Sequence, residues 1–164
     1  MNYKWWFGGA AVLWVVTVGT AGYFFVKGRT VPAPDGRTTI MLNGAERDQV
    51  LGEMRQLMKS AHGILQGVSA QDLTGAGRAA RAAGMGMAAD VNPALLAKLP
   101  LTFKAMGMSV HRDFDGLADG IQSGERSEQT LKRLSDIMNR CTTCHDLYRF
   151  AAPSPSGNVP AEDR

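Results

Sequence analysis

The apolar residues of this chain form one continuous block followed by stripes with helical spacing. The block runs from Trp5 to Val26, 22 residues without a charge. Between Gly44 and Phe150, apolar residues instead recur every three or four positions, which is the spacing of one face of an α-helix. The pattern predicts an all-α protein in which one apolar helix precedes several amphipathic ones.

The first two amphipathic helices are defined by their ends. Asn43 can cap the first helix, and Glu46 at its third position resembles a capping box. The second helix should begin near Ser69 or Asp72 and continue to Val91. It is rich in Ala and Gly, so neighbouring helices can approach it closely, although glycine weakens it intrinsically.

The next two helices follow a short helical turn predicted over Pro93 to Leu99. The third helix should carry a stripe from Phe103 to Ile121, and the fourth should open at Ser127. Because the connections between the four helices are short, we expect residues 44–150 to form an antiparallel four-helix bundle, whose core can hold a cofactor. The stripe predicted for the fourth helix is Leu131, Leu134, Met138, Cys141, His145 and Tyr148.

Two segments outside the bundle have a different composition. Residues 28–43 contain Pro32-Ala33-Pro34-Asp35-Gly36, which cannot continue a helix and has the chemistry of turns. We expect a linker here, with a short extended piece from Thr38 to Leu42 for which the chain offers no partner strand. Residues 151–164 are rich in Pro, Ser and Gly and are expected to be a disordered tail.

Residues 1–27 are predicted to be a transmembrane anchor. At about 1.5 Å per residue the uncharged block is long enough to cross the hydrocarbon core of a bilayer. Trp5 and Trp6 at one end and Lys27 at the other suit the membrane interfaces. A cleaved signal peptide is the alternative, with Gly19-Thr20-Ala21 as its cleavage site. The apolar run continues past that site and exceeds the usual length of a signal sequence, which favours an uncleaved anchor.

The charge distribution bears on the partners of the protein. The net charge is +3, but residues 44–150 carry 13 Lys and Arg against 12 Asp and Glu. The excess basic residues therefore lie beside the apolar block, where they suit lipid head groups better than nucleic acid. We expect a membrane partner and no nucleic acid.

The candidate chemistry is a CxxCH sequence near the end of the fourth helix, Cys141-Thr142-Thr143-Cys144-His145. On a helix, these two thiols and the imidazole project from one face. The motif is typical of c-type haem attachment, in which each thiol adds to a vinyl group and the histidine binds the iron. A thioredoxin-like CxxC would open a helix rather than close one. A zinc site would need further cysteines or a histidine pair. The sequence therefore predicts one covalently bound haem c.

The segment Cys-Thr-Thr-Cys-His-Asp-Leu-Tyr-Arg at 141–149, ending the fourth helix of a bundle, resembles the cytochrome c prime and cytochrome c-556 family. The resemblance covers about Gly44 to Phe150, and the membrane anchor departs from it. It implies that Cys141 and Cys144 bind haem covalently, that His145 is the proximal iron ligand, and that Arg149 lies near the haem. Family members often form homodimers through their first two helices.

The sixth iron ligand is the open question. If the first and fourth helices are antiparallel, the haem faces the start of the first helix, where Leu51, Met54 and Met58 point inward. The resemblance implies a distal residue two to three turns into that helix, which favours Met54 over Met58. A His/Met pair raises the reduction potential and suits electron transfer. If a leucine faces the iron, the site stays open to NO or CO.

The expected function is that of an electron carrier, rather than an enzyme, which exchanges electrons with periplasmic or membrane redox proteins. The alternatives are a five-coordinate haem protein that binds or detoxifies gas, and a cytochrome subunit of a larger membrane complex. Lys and Arg are more frequent after the anchor than before it, which by itself would place the domain in the cytoplasm. The resemblance implies haem attachment outside the bacterial inner membrane. We therefore expect a single-pass protein with its haem domain in the periplasm.

Overall fold

The computed structural model describes residues 3–89 and 91–151, and these are mostly helical. The helices are α1 (Tyr3–Lys27), α2 (Gly44–Ser69), α3 (Leu73–Ala82), α4 (Pro93–Lys98), α5 (Leu101–Gln122) and α6 (Ser127–Leu147), with a 3₁₀ turn at Met85–Ala88. Three short strands, β1 (Thr30–Pro32), β2 (Thr38–Met41) and β3 (Tyr148–Ala151), form one sheet.

The apolar block forms the single helix α1. Its segment Trp6–Lys27 has a mean hydropathy of 1.7 and is long and apolar enough to cross a membrane. None of its most apolar part is buried against the rest of the protein. The prediction of a long N-terminal apolar helix is therefore confirmed.

The start of α2 has the predicted capping box. The Asn43 side chain accepts a hydrogen bond from the Glu46 backbone N–H at 2.8 Å, and Glu46 accepts one from the Asn43 N–H at 2.9 Å. These bonds satisfy two N–H groups that a helix start would otherwise leave free. Glu46 also pairs with Lys98 at 2.5 Å, so the same carboxylate ties α2 to α4.

The larger of two hydrophobic cores lies between α2, α3, α5 and α6. Its fully buried centre includes Ile64, Ala76, Ala80 and Leu117. A side chain at Gly67 would lie 2.7 Å from the backbone nitrogen of Ala76, so α2 and α3 touch through their backbones. The expected close approach to the Ala- and Gly-rich helix is thus present.

The second amphipathic helix is shorter than predicted. It ends at Ala82 rather than at Val91, and a 3₁₀ turn follows. Side chains of α5 bind the chain at this point. The His111 ring pairs with the Ala83 carbonyl at 2.7 Å, and Asp115 accepts a hydrogen bond from the Met85 N–H at 2.8 Å. These tertiary partners replace the bonds that a longer helix would make.

The sheet corrects two expectations. β2 pairs antiparallel with β1 and parallel with β3, the segment that directly follows α6. The fold is therefore not purely α-helical, and the prediction that Thr38–Leu42 has no partner strand is wrong. Parallel neighbours must come from distant parts of the chain, so a local reading of β2 could not reveal β3.

Residues 28–43 are part of the folded unit and not a free linker. Ile40 and Leu42 are fully buried and join Leu95, Leu99 and Phe103 in a second hydrophobic core. This core lies beside the C-terminal end of α6, because Cys144, Tyr148 and Phe150 pack against it. Ala151 still belongs to β3, and residues 152–164 of the predicted tail lie outside the described residues.

Gly28 offers a test of how closely the chain after α1 packs against the rest of the protein. Gly28 and Gly36 both have positive φ, +65° and +84°. A side chain at Gly28 would lie 2.5 Å from the Lys98 carbonyl oxygen, whereas the space at Gly36 is open. Gly36→Ala should cost about 1 kcal/mol for its φ alone. Gly28→Ala should cost about 3 kcal/mol or more, because rigid backbone must move. Urea unfolding of both variants measures the difference, and equal costs would contradict the close contact.

Candidate functional site

The CxxCH motif occupies the last two turns of α6. Cys141 and Cys144 are half-buried and His145 is exposed. The Cys141 thiol donates to the Ile137 carbonyl at 3.6 Å, and Cys144 packs against the second hydrophobic core. The motif therefore closes a helix, as predicted, and its thiols are the groups that face the protein.

The buried face of α6 is rotated from the predicted stripe. Leu131 and Met138 are each 41% exposed, so these two members of the stripe do not lie in the core. The residues that are buried are Thr130, Leu134 and Ile137, followed by the half-buried thiols. The predicted stripe was based on apolar side chains and therefore left out Thr130. Thr130 is fully buried, and its methyl group suits an apolar site.

A cavity of about 150 Å³ joins the motif to the start of α2. Four of the five predicted site residues line it, namely Met54, Cys144, His145 and Arg149. Cys141 lies one turn away on α6 and is not part of its wall. The remaining lining residues are Arg37, Leu51, Phe103, Tyr148 and Phe150.

The three candidate distal residues separate into two groups. Leu51 and Met54 are half-buried and line the cavity. Met58 is 65% exposed and lies outside it. One further turn of α2 therefore carries the side chain out to solvent. Met54 is the methionine that shares a cavity with His145.

The other walls are aromatic. Phe103 of α5 makes edge-to-face contacts with Tyr148 and Phe150, at centroid distances of 5.4 and 5.7 Å. The Tyr148 hydroxyl also bonds with that of Thr102 at 2.5 Å. Since Tyr148 and Phe150 belong to β3, the sheet that the sequence did not reveal supplies part of the site.

Arg37 is a site residue that sequence reasoning missed. It pairs with Asp35 at 2.6 Å, and Arg149 reaches the same carboxylate at 3.5 Å. The hydrogen bond from Arg37 holds the pKa of Asp35 below its usual value. Arg37 and Arg149 both line the cavity, and Asp35, which pairs with both, does not. Arg37 lay in the expected linker, and only the β2–β3 pairing brings it beside Arg149.

The thiols lack the acidity of redox cysteines. Burial raises the pKa of Cys141, and burial together with the neighbouring Cys141 raises the pKa of Cys144 to about 11. Reactive CxxC thiols have lowered pKa values and often sit at helix N-termini, whose dipole stabilises a thiolate. Here the motif ends a helix, and its thiols stay protonated at neutral pH. Disulfide exchange is therefore disfavoured.

The remaining metal-binding groups are scattered. Within residues 3–89 and 91–151, no set of three His, Cys, Asp or Glu side chains is placed to hold a metal ion. A haem iron takes only one or two axial ligands from the protein, so the haem prediction requires no such set. His62 is exposed. His111 is buried against the Ala83 carbonyl.

No protein family, characterised protein or solved structure matched this chain.

Proposed function

We propose that this protein is a membrane-anchored c-type cytochrome that carries one covalently bound haem and transfers electrons. The observation that carries the proposal is the cavity in which Cys144, His145 and Met54 meet, with Cys141 one turn away. Cys141 and Cys144 would hold the haem, and His145 and Met54 would bind its iron. The domain would lie on the periplasmic side of a bacterial inner membrane, as the family resemblance implies.

An antiparallel four-helix bundle formed by α2, α3, α5 and α6 is part of the same proposal. The large core between these helices supports it. The start of α2 and the end of α6 meet at the cavity, as two antiparallel neighbours must. A homodimer through α2 and α3 remains a prediction from the resemblance.

The donor groups fit the proposed haem. Two adjacent thiols, one imidazole and one thioether are the groups that c-type attachment and His/Met coordination use. The aromatic and aliphatic walls offer apolar contacts to a porphyrin ring, and Arg37 and Arg149 can bind its acidic side groups. The cavity is smaller than the roughly 300–1,000 Å³ typical of ligand pockets. Part of the haem would therefore project beyond it, where a redox partner can approach.

When bound, the haem supplies the one-electron chemistry. The residues of the chain supply its control. His145 and Met54 would be the protein donors to the iron in both of its charge states. The apolar walls would disfavour replacement of the thioether by water, and the two arginines would favour the less positive, reduced state. The arrangement suits a carrier that cycles between two redox states.

Leu51 supports a second candidate function. It lines the same cavity as Met54 and is equally half-buried. If Leu51 faces the iron, the haem is five-coordinate and can bind NO or CO. A cytochrome subunit of a larger membrane complex is a further alternative that retains the His/Met site.

A redox titration of the purified protein tests the proposal. Visible absorbance should follow one reversible one-electron transition with one haem per chain. Arg37→Gln and Arg149→Gln should each lower the reduction potential by roughly tens of millivolts, since each removes a screened positive charge near the iron. Arg47→Gln is the matched control, because this half-buried arginine also pairs with an aspartate, Asp48, but is outside the cavity. Absence of haem from the mature protein would refute the proposal. Unchanged reduction potentials in both arginine variants would show that these charges do not act on the haem iron.

A further inference from the structure

The end of α1 joins the rest of the protein without a spacer. Gly28 ends the helix and is buried where the chain passes from α4 to α5. The Arg29 N–H donates to the Lys98 carbonyl at 2.7 Å, and the Arg29 carbonyl accepts from the Met41 N–H at 2.8 Å. The junction is thus held from two sides by backbone hydrogen bonds. These bonds hold the residue directly after Gly28 against the rest of the protein.

Lys104 of α5 lies against the last turns of α1. Its ammonium group donates to the Phe25 carbonyl at 3.2 Å and lies 3.8 Å from the centre of the Phe25 ring. These are favourable helix-end and cation–π contacts. Burial lowers the pKa of Lys104. Among the described residues, Lys104 takes part in none of the ion pairs, so no carboxylate neutralises it.

The depth of Phe25 locates this contact relative to a bilayer. Phe25 is two residues before the end of the apolar segment Trp6–Lys27, which corresponds to about 3 Å along the helix. Lys104 therefore lies at the level of the membrane interface, where lysines extend their charge toward lipid head groups. The first turns of α5 must lie at the same level.

The surface of α5 around Lys104 suits that position. One face of α5 carries Leu101, Lys104, Ala105 and Met108. The last three follow Leu101 by three, four and seven positions, which is the spacing of a single helix face. Leu101 is 41% exposed, Ala105 is exposed and Met108 is half-buried. An exposed apolar face with a cation among its residues is typical of helices that lie in a membrane interface.

We propose that this face of α5 rests in the head-group layer of the membrane and that Lys104, with Lys27, binds the phosphates of anionic phospholipids. The inference rests on the proposed membrane span of α1 and is independent of the haem. Phe103, the neighbour of Lys104, lines the cavity of the motif. The cavity is therefore held close to the bilayer surface. With the proposed haem in the cavity, this placement would favour electron exchange with a partner in the membrane over a freely diffusing one.

Lysine footprinting of the full-length protein in vesicles tests this seating. Amine acylation, read for each lysine by mass spectrometry, is compared between phosphatidylcholine vesicles and vesicles that also contain phosphatidylglycerol. Lys104 and Lys27 should react about fivefold more slowly in the anionic vesicles, the effect of one lysine–lipid attraction. High salt should reduce the difference. Lys59 and Lys132, exposed on α2 and α6, are internal controls and should react equally in both.

Two failures can be told apart. If the protein stays with the vesicles through an alkaline carbonate wash but Lys104 reacts equally in both lipids, the domain stands away from the membrane and the seating is wrong. If the wash removes the protein, α1 does not span the bilayer, and the anchor fails together with the inference.

Discussion

Acidified organic solvent should leave haem on the wild-type protein and remove all of it from a Cys141→Ala/Cys144→Ala double variant. Thioether bonds are covalent and survive this extraction, whereas coordination of the iron alone does not retain haem on the protein. Each single variant should retain haem through one bond. Absorbance of the protein pellet and of the solvent phase gives the bound and released fractions.

Thr142→Ala/Thr143→Ala is the matched control for this extraction. Both threonines lie between the two cysteines and are exposed. Their side-chain hydroxyls donate to the Asn139 carbonyl. Their replacement should leave the haem attached, which separates the role of the thiols from any general disturbance of the helix end. Haem released into the solvent from mature wild-type protein would refute covalent attachment.

Met54→Ala should convert a low-spin ferric protein into a high-spin form that binds CO readily. The reason is loss of the thioether from the iron, since the remaining axial ligand would be His145. The loss of packing should cost about 2 kcal/mol or less, the lower end of the range for methionine truncation, because Met54 is only half-buried. Absorption spectra of the ferric and CO-treated protein measure the change.

Two variants make the assignment of Met54 specific. Met58→Ala should keep the low-spin spectrum and nearly the full stability, because Met58 is exposed and lies outside the cavity. Met54→His should remain low-spin but lose the thioether-to-iron absorption band, which packing alone would not explain. A wild-type protein that is already high-spin would instead favour Leu51 as the distal residue and gas binding as the function.

The proposed contact of the domain with the membrane and the candidate site are linked through α5. One face of its first turns contacts the end of α1 through Lys104, and the preceding residue, Phe103, forms a wall of the cavity. The two inferences can nevertheless fail separately. Lysine footprinting needs no haem, and solvent extraction needs no membrane.

The sequence by itself determined the features that depend on neighbouring residues. The length of α1, the capping box at Asn43 and the helical placement of the CxxCH motif are set by spacings of a few residues. Such spacings act through local hydrogen bonds and helix periodicity. These features could therefore be predicted without knowledge of the fold.

Only the tertiary structure decided how these local elements meet. The pairing of β2 with β3 joins residues about 110 positions apart and brings Arg37 to Arg149. It also folds the expected linker into a second core. The rotation of α6 and the exposure of Met58 depend on which neighbours cover each helix face. Helix periodicity shows that a face is apolar, but it does not show what packs against it.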